Sequence, residues 1–150
     1  EIGSGLVGWE RCIRDSRWVR ENPKRMRELL NTNPNFVFFE ERVGMGEADG
    51  PLGAQAVPLT PGASVAVDRR YWKLGVPFVT EVTQDNPAMA FARPVIAQDT
   101  GGAIRGVIRF DYFWGFGDIA GAQAGRQKSR AHAWVLVPRG MKPSDIMTAR

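Results

Sequence analysis

The second half of the chain is a series of short apolar runs, each bounded by turn residues, and this pattern limits the fold more than any other feature. The runs are rich in valine, isoleucine and aromatic residues, which predicts β-strands. We predict strands over 36–39, 64–68, 79–83, 93–98, 106–110 and 133–137. Several short strands with one or two helices are typical of a mainly β protein, a small closed β-barrel with helical decoration.

Helical patterns lie outside and between these strands. Apolar residues recur at helical spacing near the amino terminus and predict a helix there. Asn22 followed by Pro23 predicts that a second helix starts at this point and runs over 23–30, with Asn22 as its N-cap. Asp118 is in turn the predicted N-cap of a short helix over 118–128.

The order of these patterns divides the chain into three parts. We predict a helical segment over 1–32, a barrel region that carries the site over 33–140, and a carboxyl-terminal tail over 141–150. The residues after Pro138 show no pattern, and we expect them to be frayed.

The composition is that of an ordinary globular chain. The 150 residues are enough for one domain, with 43% hydrophobic and 24% charged residues. The apolar runs are far shorter than the roughly 18 residues that a membrane span needs. The net charge of +4, with a pI near 9.7, suits an acidic polymer as a partner. It is too small to indicate nucleic acid, and we predict none.

A single cysteine and a single histidine limit the chemistry of the chain. Cys12 cannot form an intrachain disulfide, and together with His132 it falls short of the usual ligand count of a zinc site. His132 lies in a strand-like run, where a lone histidine is more often a packed or surface residue than a catalytic base. The sequence also lacks the nucleophile-elbow, Walker A and zinc-protease motifs. We therefore predict no metal and no cofactor.

Three aspartates terminate apolar runs and are the candidate reactive groups. They are Asp68, Asp99 and Asp111. An aspartate in such a place can simply cap a turn, but three in one small domain suggest more. If the strands of Asp99 and Asp111 are neighbours, mutual repulsion between the two carboxyls would keep one of them protonated near neutral pH. Such a group can act as a general acid.

The residues around Asp111 favour a sugar as the ligand. An aromatic cluster follows it directly, and aromatic faces commonly stack on pyranose rings. Gly101 and Gly102 would let the backbone approach such a ligand closely, although a plain turn would also use them. For any single aromatic residue, a place in the core is the alternative. The candidate substrate contacts are Gln98, Gly101, Gly102, Tyr112 and Trp114.

Several segments together resemble the membrane-bound lytic transglycosylase A family, which contains the three-aspartate (3D) domain. The central one reads VIAQDTGGAIRGVIRFDYFWGFG and spans 95–117. The resemblance runs in order from about Asn22 to Arg139, whereas 1–21 match least. The other segments that carry it are 33–39, 50–62, 64–69 and 120–126.

This resemblance implies a six-stranded double-psi β-barrel that cleaves the β-1,4 bond between N-acetylmuramic acid and N-acetylglucosamine in peptidoglycan. The product would be a 1,6-anhydro sugar. The resemblance makes Asp111 the single acid and base, with Asp99 and Asp68 in support. It requires no metal or cofactor. The alternatives are a glycan-binding barrel without activity, as in expansin-like modules, and a conventional glycoside hydrolase.

The resemblance also carries expectations about the whole protein. Family members are longer, and an inserted second domain forms the other wall of their substrate groove. The chain begins at Glu1 without a signal-peptide pattern, so we expect a mature or truncated fragment that contains the catalytic part. We expect a monomer at the periplasmic face of the outer membrane, with any lipid anchor outside these residues. Cys12 lies between charged residues and does not resemble a lipidation site.

Overall fold

The structure is a computed structural model, and it describes residues 8–32, 44, 46 and 49–148. The chain forms two compact units, one over Glu1–Gly44 and the other over Met45–Arg150. Three predictions concern residues outside the described part or at its border. They are the strand over 36–39, the resembling segment over 33–39 and the boundary at 32/33. Among the described residues, no helix has the length and apolarity to cross a membrane.

The first unit contains short helical elements. Helix α1 spans Gly8–Glu21, a 3₁₀ turn spans Pro23–Arg25, and helix α2 spans Met26–Leu30. The restart at Asn22 is confirmed, with proline in the first turn, and Asn22 is the N-cap residue, although its side chain makes no capping hydrogen bond. The Asn22 side chain instead donates to the carbonyl of Trp18, at 3.0 Å, and so closes the end of α1.

The second unit is built on one five-stranded sheet with the order β4-β1-β3-β2-β5. Strand β1 pairs with β3 in parallel, and every other pair in the sheet is antiparallel. The mainly β class with a few helices is therefore confirmed. The described residues form a sheet of five strands, not six, and it has two open edges. The strands are β1 (Ser64–Val67), β2 (Pro77–Gln84), β3 (Met89–Asp99), β4 (Phe110–Tyr112) and β5 (Arg130–Val135).

The core lies against one face of this sheet. Phe78 is 1% exposed and meets Trp72 and Phe110 edge to face, with ring centroids 5.0 and 5.1 Å apart. Burial of a side chain of this size contributes roughly 1.5–3 kcal/mol to stability. The six residues of the core cluster are Val65, Val67, Val76, Phe78, Val95 and Ala97.

One strand and one helix start differ from the prediction for local reasons. The strand expected over 106–110 begins only at Phe110, because Gly106 has a φ of 119° and forms a turn. Helix α3 spans Gly117–Arg126, and its N-cap is Phe116 rather than Asp118. Asp118 lies in the first turn, where its negative charge interacts favourably with the positive end of the helix dipole.

The carboxyl-terminal residues are better ordered than the expected frayed tail. A short helix, α4, spans Pro143–Ile146. Ile146 packs on the core cluster, and Met147 forms a β-bridge with Trp72. The backbone N–H of Thr148 donates to the carbonyl of Tyr71 at 2.9 Å. The described tail is therefore part of the second unit.

Candidate active site

The two aspartates expected to face one another lie on either side of one residue of β1. Ala66 pairs with Asp99 of β3 and with Asp111 of β4. Because β1 lies between β3 and β4, the strands of Asp99 and Asp111 are not neighbours, and the condition for mutual repulsion between the two carboxyls is not met. Two interstrand spacings separate their Cα atoms by about 10 Å.

Asp111 is half-exposed and is held by a single ion pair. Arg109 lies two positions earlier, so in extended chain both side chains point to the same face. Its Nε donates to Oδ1 of Asp111 at 2.6 Å, and each side chain is 46% exposed. This hydrogen bond raises the pKa of Arg109. Oδ2 of Asp111 has no partner among the residues that the structure describes, and is therefore available to a substrate.

Asp68 is buried at the end of β1 and accepts hydrogen bonds from two directions. The guanidinium of Arg70 donates through Nε and Nη2, the latter at 2.6 Å, and the Arg70 backbone N–H donates at 3.1 Å. The backbone N–H of Gly106 donates at 2.8 Å. These donors, the Arg70 side chain first, hold the pKa of Asp68 well below its usual range. Asp68 thereby ties the loop before β4 to β1.

Asp99 holds a separate segment against the end of β3. Its Oδ1 accepts from the backbone N–H of Ala54 at 2.9 Å, and the next N–H, of Gln55, donates to the carbonyl of Gln98 at 3.0 Å. The approach is close enough to require glycine at position 53. A Cβ on Gly53 would lie 2.5 Å from the Gln98 carbonyl oxygen. The third aspartate of the site is therefore also engaged with the backbone.

Gln98 is oriented by a buried hydroxyl. The side chain of Ser64 donates to Oε1 of Gln98 and accepts from the backbone N–H of Thr60, the latter at 2.7 Å. Ser64 is fully buried, so these contacts are shielded from water. The amide nitrogen of Gln98 has no partner in the described part of the chain and remains a free donor.

Tyr112 and Trp114 are packed in an aromatic cluster with Phe91. The ring centroids are 4.9 Å apart between Tyr112 and Trp114, and 5.4 and 5.7 Å from Phe91. Tyr112 directly follows Asp111 in β4, so its side chain points to the opposite face of the sheet. Its hydroxyl donates to the carbonyl of Gly62 at 2.6 Å. Trp114 donates to Gln127 at 2.7 Å. Their contact with sugar stays a prediction.

The two candidate glycines lie in the turn after β3. A Cβ on Gly102 would meet nothing within 4 Å, and one on Gly101 would meet only the flexible side chain of Ile104, at 3.3 Å. The described chain itself therefore has little need of glycine at these two positions. The expectation that they leave room for a ligand stays a prediction.

Sequence reasoning missed two groups around the carboxyls. Arg70 and Arg109 each lie two positions from an aspartate. Arg70 is in the turn after β1, where its backbone N–H also binds Asp68, whereas Arg109 directly precedes β4, where this spacing places side chains on one face. Phe116 is 53% exposed and pairs with Phe113, at 5.5 Å between ring centroids. It is not among the substrate contacts that the sequence predicts.

Other candidate groups lie elsewhere. His132 is exposed on β5, at the edge of the sheet opposite to Asp111. Among the described residues, no group of three or more histidine, cysteine, aspartate and glutamate side chains is arranged to hold a metal. The chemistry available at the described site is that of carboxyl, guanidinium and amide groups.

Asp68 and Asp99 lie at the ends of two strands of one mixed sheet, and Asp111 lies within a third strand, β4. The chain belongs to the 3D domain family, whose model matches residues 63–137, half of the chain. This confirms the resemblance found in the sequence.

Relatives with this domain are named lytic murein transglycosylases. Membrane-bound lytic murein transglycosylase A of Vibrio cholerae is 37% identical over 90% of this chain and 38% of its own length. MltA from Neisseria gonorrhoeae has a TM-score of 0.71 and 44% identity, over 84% of this chain and 31% of that one. E. coli MltA with bound chitohexaose has a TM-score of 0.66 and 35% identity, over 83% and 37%. The chain thus spans less than half the length of these relatives.

Proposed function

We propose that this chain supplies the catalytic acid and base of a peptidoglycan lytic transglycosylase. The bond cleaved is the β-1,4 link between N-acetylmuramic acid and N-acetylglucosamine. The observation that carries the proposal is the position of Asp111, a half-exposed carboxyl with a free oxygen on an edge strand of the matched domain. The names of the relatives support the reaction, and one of them binds chitohexaose.

The proposed reaction needs one carboxyl. Asp111 donates a proton to the glycosidic oxygen as the bond from that oxygen to C1 of the muramic acid breaks. The C6 hydroxyl of the same sugar forms the new bond to C1, and its proton passes to the Asp111 carboxylate. The products are a 1,6-anhydro end and a free 4-hydroxyl group, and no water is consumed.

The hydrogen bonds that the other two aspartates accept from the protein favour this mechanism over hydrolysis. A hydrolase normally needs a second carboxylate to activate water or to attack C1. Asp68 is buried and accepts through both of its oxygens, and Asp99 is held by the backbone N–H of Ala54 through Oδ1. We assign both to positioning: Asp68 fixes the loop that leads to Asp111, and Asp99 fixes the segment beside β3.

Substrate contacts follow from the free polar groups and the open turn. The amide nitrogen of Gln98 donates to a sugar hydroxyl or acetamido oxygen, and Gly101 and Gly102 leave space for the ring. Tyr112 and Trp114 contribute through the cluster that supports β4, and any contact they make with sugar is on the far face of the sheet.

The remainder of the fold comes from residues outside the described sheet. We propose that the sheet, which has two open edges, is completed to a six-stranded double-psi barrel by other residues of the full-length protein. The full-length protein is the longest natural protein that contains these 150 residues. Its other residues also form the second wall of the groove. The relatives are named membrane-bound, which supports a place in the cell envelope. We propose a monomer at the periplasmic face of the outer membrane, anchored outside this chain.

The test is the Asp111→Asn variant of the full-length protein. Asparagine keeps the shape of the side chain but cannot donate and recover a proton, so release of anhydro-muropeptides from sacculi should fall about a thousandfold. Mass spectrometry of the products measures this. Asp85→Asn, an exposed change in the turn between β2 and β3, is the matched control and should keep full release.

The same spectra separate the alternatives. Release at the unchanged rate by Asp111→Asn contradicts the role of this residue. Reducing sugar ends in place of anhydro ends identify a conventional hydrolase. Wild-type protein that sediments with sacculi and releases nothing is a glycan-binding module without activity.

A further inference from the structure

A continuous series of hydrogen bonds joins buried Asp68 to exposed Asp111. The Nη2 atom of Arg70 and the backbone N–H of Gly106 donate to the same oxygen, Oδ2 of Asp68. The carbonyl of Gly106 accepts from the backbone N–H of Arg109 at 3.3 Å, and the Arg109 side chain donates to Asp111. The backbone of Arg109 is therefore anchored to the interior of the domain, and its side chain extends from this anchor to Asp111.

The guanidinium of Arg109 uses only part of its binding capacity. It contacts Asp111 through Nε alone, and its two terminal nitrogens have no partner within the described ranges. A guanidinium binds a carboxylate best through two parallel N–H donors, and the edge of Arg109 formed by its two terminal nitrogens is unused. The group is also half-exposed, and Arg105 on the same loop is exposed as well. An anionic group of a ligand can reach it without displacing protein.

Arg70 differs from Arg109 in this respect. Its guanidinium neutralises Asp68, whose side chain is fully buried, and its departure would leave that charge without a partner. Arg109 is free to exchange, because Asp111 is in contact with solvent. Of the two arginines, only Arg109 can change its carboxylate partner at low cost.

We propose that Arg109 recognises a carboxylate of the peptides attached to peptidoglycan glycan strands, and that it leaves Asp111 when this carboxylate binds. The inference rests on the proposed function, which makes these strands the substrate and Asp111 the acid. The guanidinium exchanges one carboxylate for another, so its charge stays paired throughout. Asp111 is released to carry the proton that it donates. Arg109 thus makes cleavage of the glycan depend on the peptide, as a specificity-determining residue.

The experiment compares two substrates with matched variants of the full-length protein. The substrates are glycan strands with their peptides and the same strands after an amidase has removed the peptides. Arg109→Gln should raise KM on the peptide-bearing strands about tenfold, since one charged hydrogen-bonded contact is lost. On the stripped strands it should be at least as active as the wild type. Arg109→Lys keeps the charge and should recover part of the loss.

Arg130→Gln is the control for overall charge. It removes one exposed positive charge at the opposite edge of the sheet, on β5, and should leave both substrates unaffected. An equal loss on both substrates in Arg109→Gln would show that Arg109 only positions Asp111, and no loss on either would also overturn the proposal. Asp111→Asn, assayed in parallel, tests the proposed function separately: continued release of anhydro ends refutes that function whatever the ratio between substrates.

Discussion

Asp68 and Asp111 each pair with an arginine two positions away, one with Arg70 and the other with Arg109. The Asp68 side chain is 0% exposed and accepts from backbone and guanidinium donors, whereas Asp111 is 46% exposed and accepts from one nitrogen. The residue types and their spacing are the same in both pairs. Burial and the number of donors decide which carboxylate stabilises the fold and which remains available for chemistry.

The largest difference between the two pairs should appear in thermal stability. Asp68→Asn removes a buried charge that faces a guanidinium and replaces one acceptor oxygen by an NH₂ donor that faces other donors. We therefore expect the melting temperature to fall by roughly 5–10 °C. Asp111→Asn, at an exposed position, should change it by about 1 °C or less. Calorimetry of both variants measures the difference, and equal falls would contradict the distinction between the pairs.

The acid dependence of stability sharpens the comparison further. The pKa of Asp68 is lower in the folded protein than in the unfolded chain, where it is about 4. Its stabilising contribution is therefore present above about pH 4 and is lost as the pH falls toward the folded value. The melting temperature of the wild type should fall more steeply below pH 4 than that of Asp68→Asn, so the two curves approach each other. Parallel curves would refute this role.

The smallest expected effect is the coupling within the exposed pair. A double-mutant cycle on Arg109 and Asp111, measured by denaturant unfolding, should give a coupling free energy below about 1 kcal/mol. Added salt should reduce it, because exposed charges are screened. The same cycle on Arg70 and Asp68 should show a larger coupling that changes less with salt. A salt-insensitive coupling between Arg109 and Asp111 would argue against the exchange that we propose.

Local patterns in the sequence indicated most of the strands and all three aspartates, because alternation and turn residues are properties of neighbouring positions. They did not reveal that β1 lies between β3 and β4, since the parallel pairing of β1 with β3 joins residues far apart in sequence. For the same reason the burial of Asp68 was not visible. An aspartate at a strand end has the same sequence pattern whether it caps a turn at the surface or anchors a loop inside.

The sequence predicts candidate site residues but not the contacts between them. Gln98 and Asp111 belong to the motif, whereas Ser64, which orients Gln98, carries no pattern of its own. For Arg109, the spacing of two positions from Asp111 is the available signal. The contact between Ser64 and Gln98 crosses two strands and requires the fold. The ordered tail was missed because a four-residue helix such as α4 depends on packing rather than on its own sequence.

The shortness of β4 has a consequence for the evolution and engineering of this domain. With three residues, the strand has few pairs of its own to resist sliding along β1, and the bond from Gly106 to Asp68 supplies a further anchor. Insertion or deletion of one residue between Gly106 and Phe110 would carry Asp111 to the face that Tyr112 now occupies. The length of the loop before β4 therefore determines on which face of the sheet Asp111 lies.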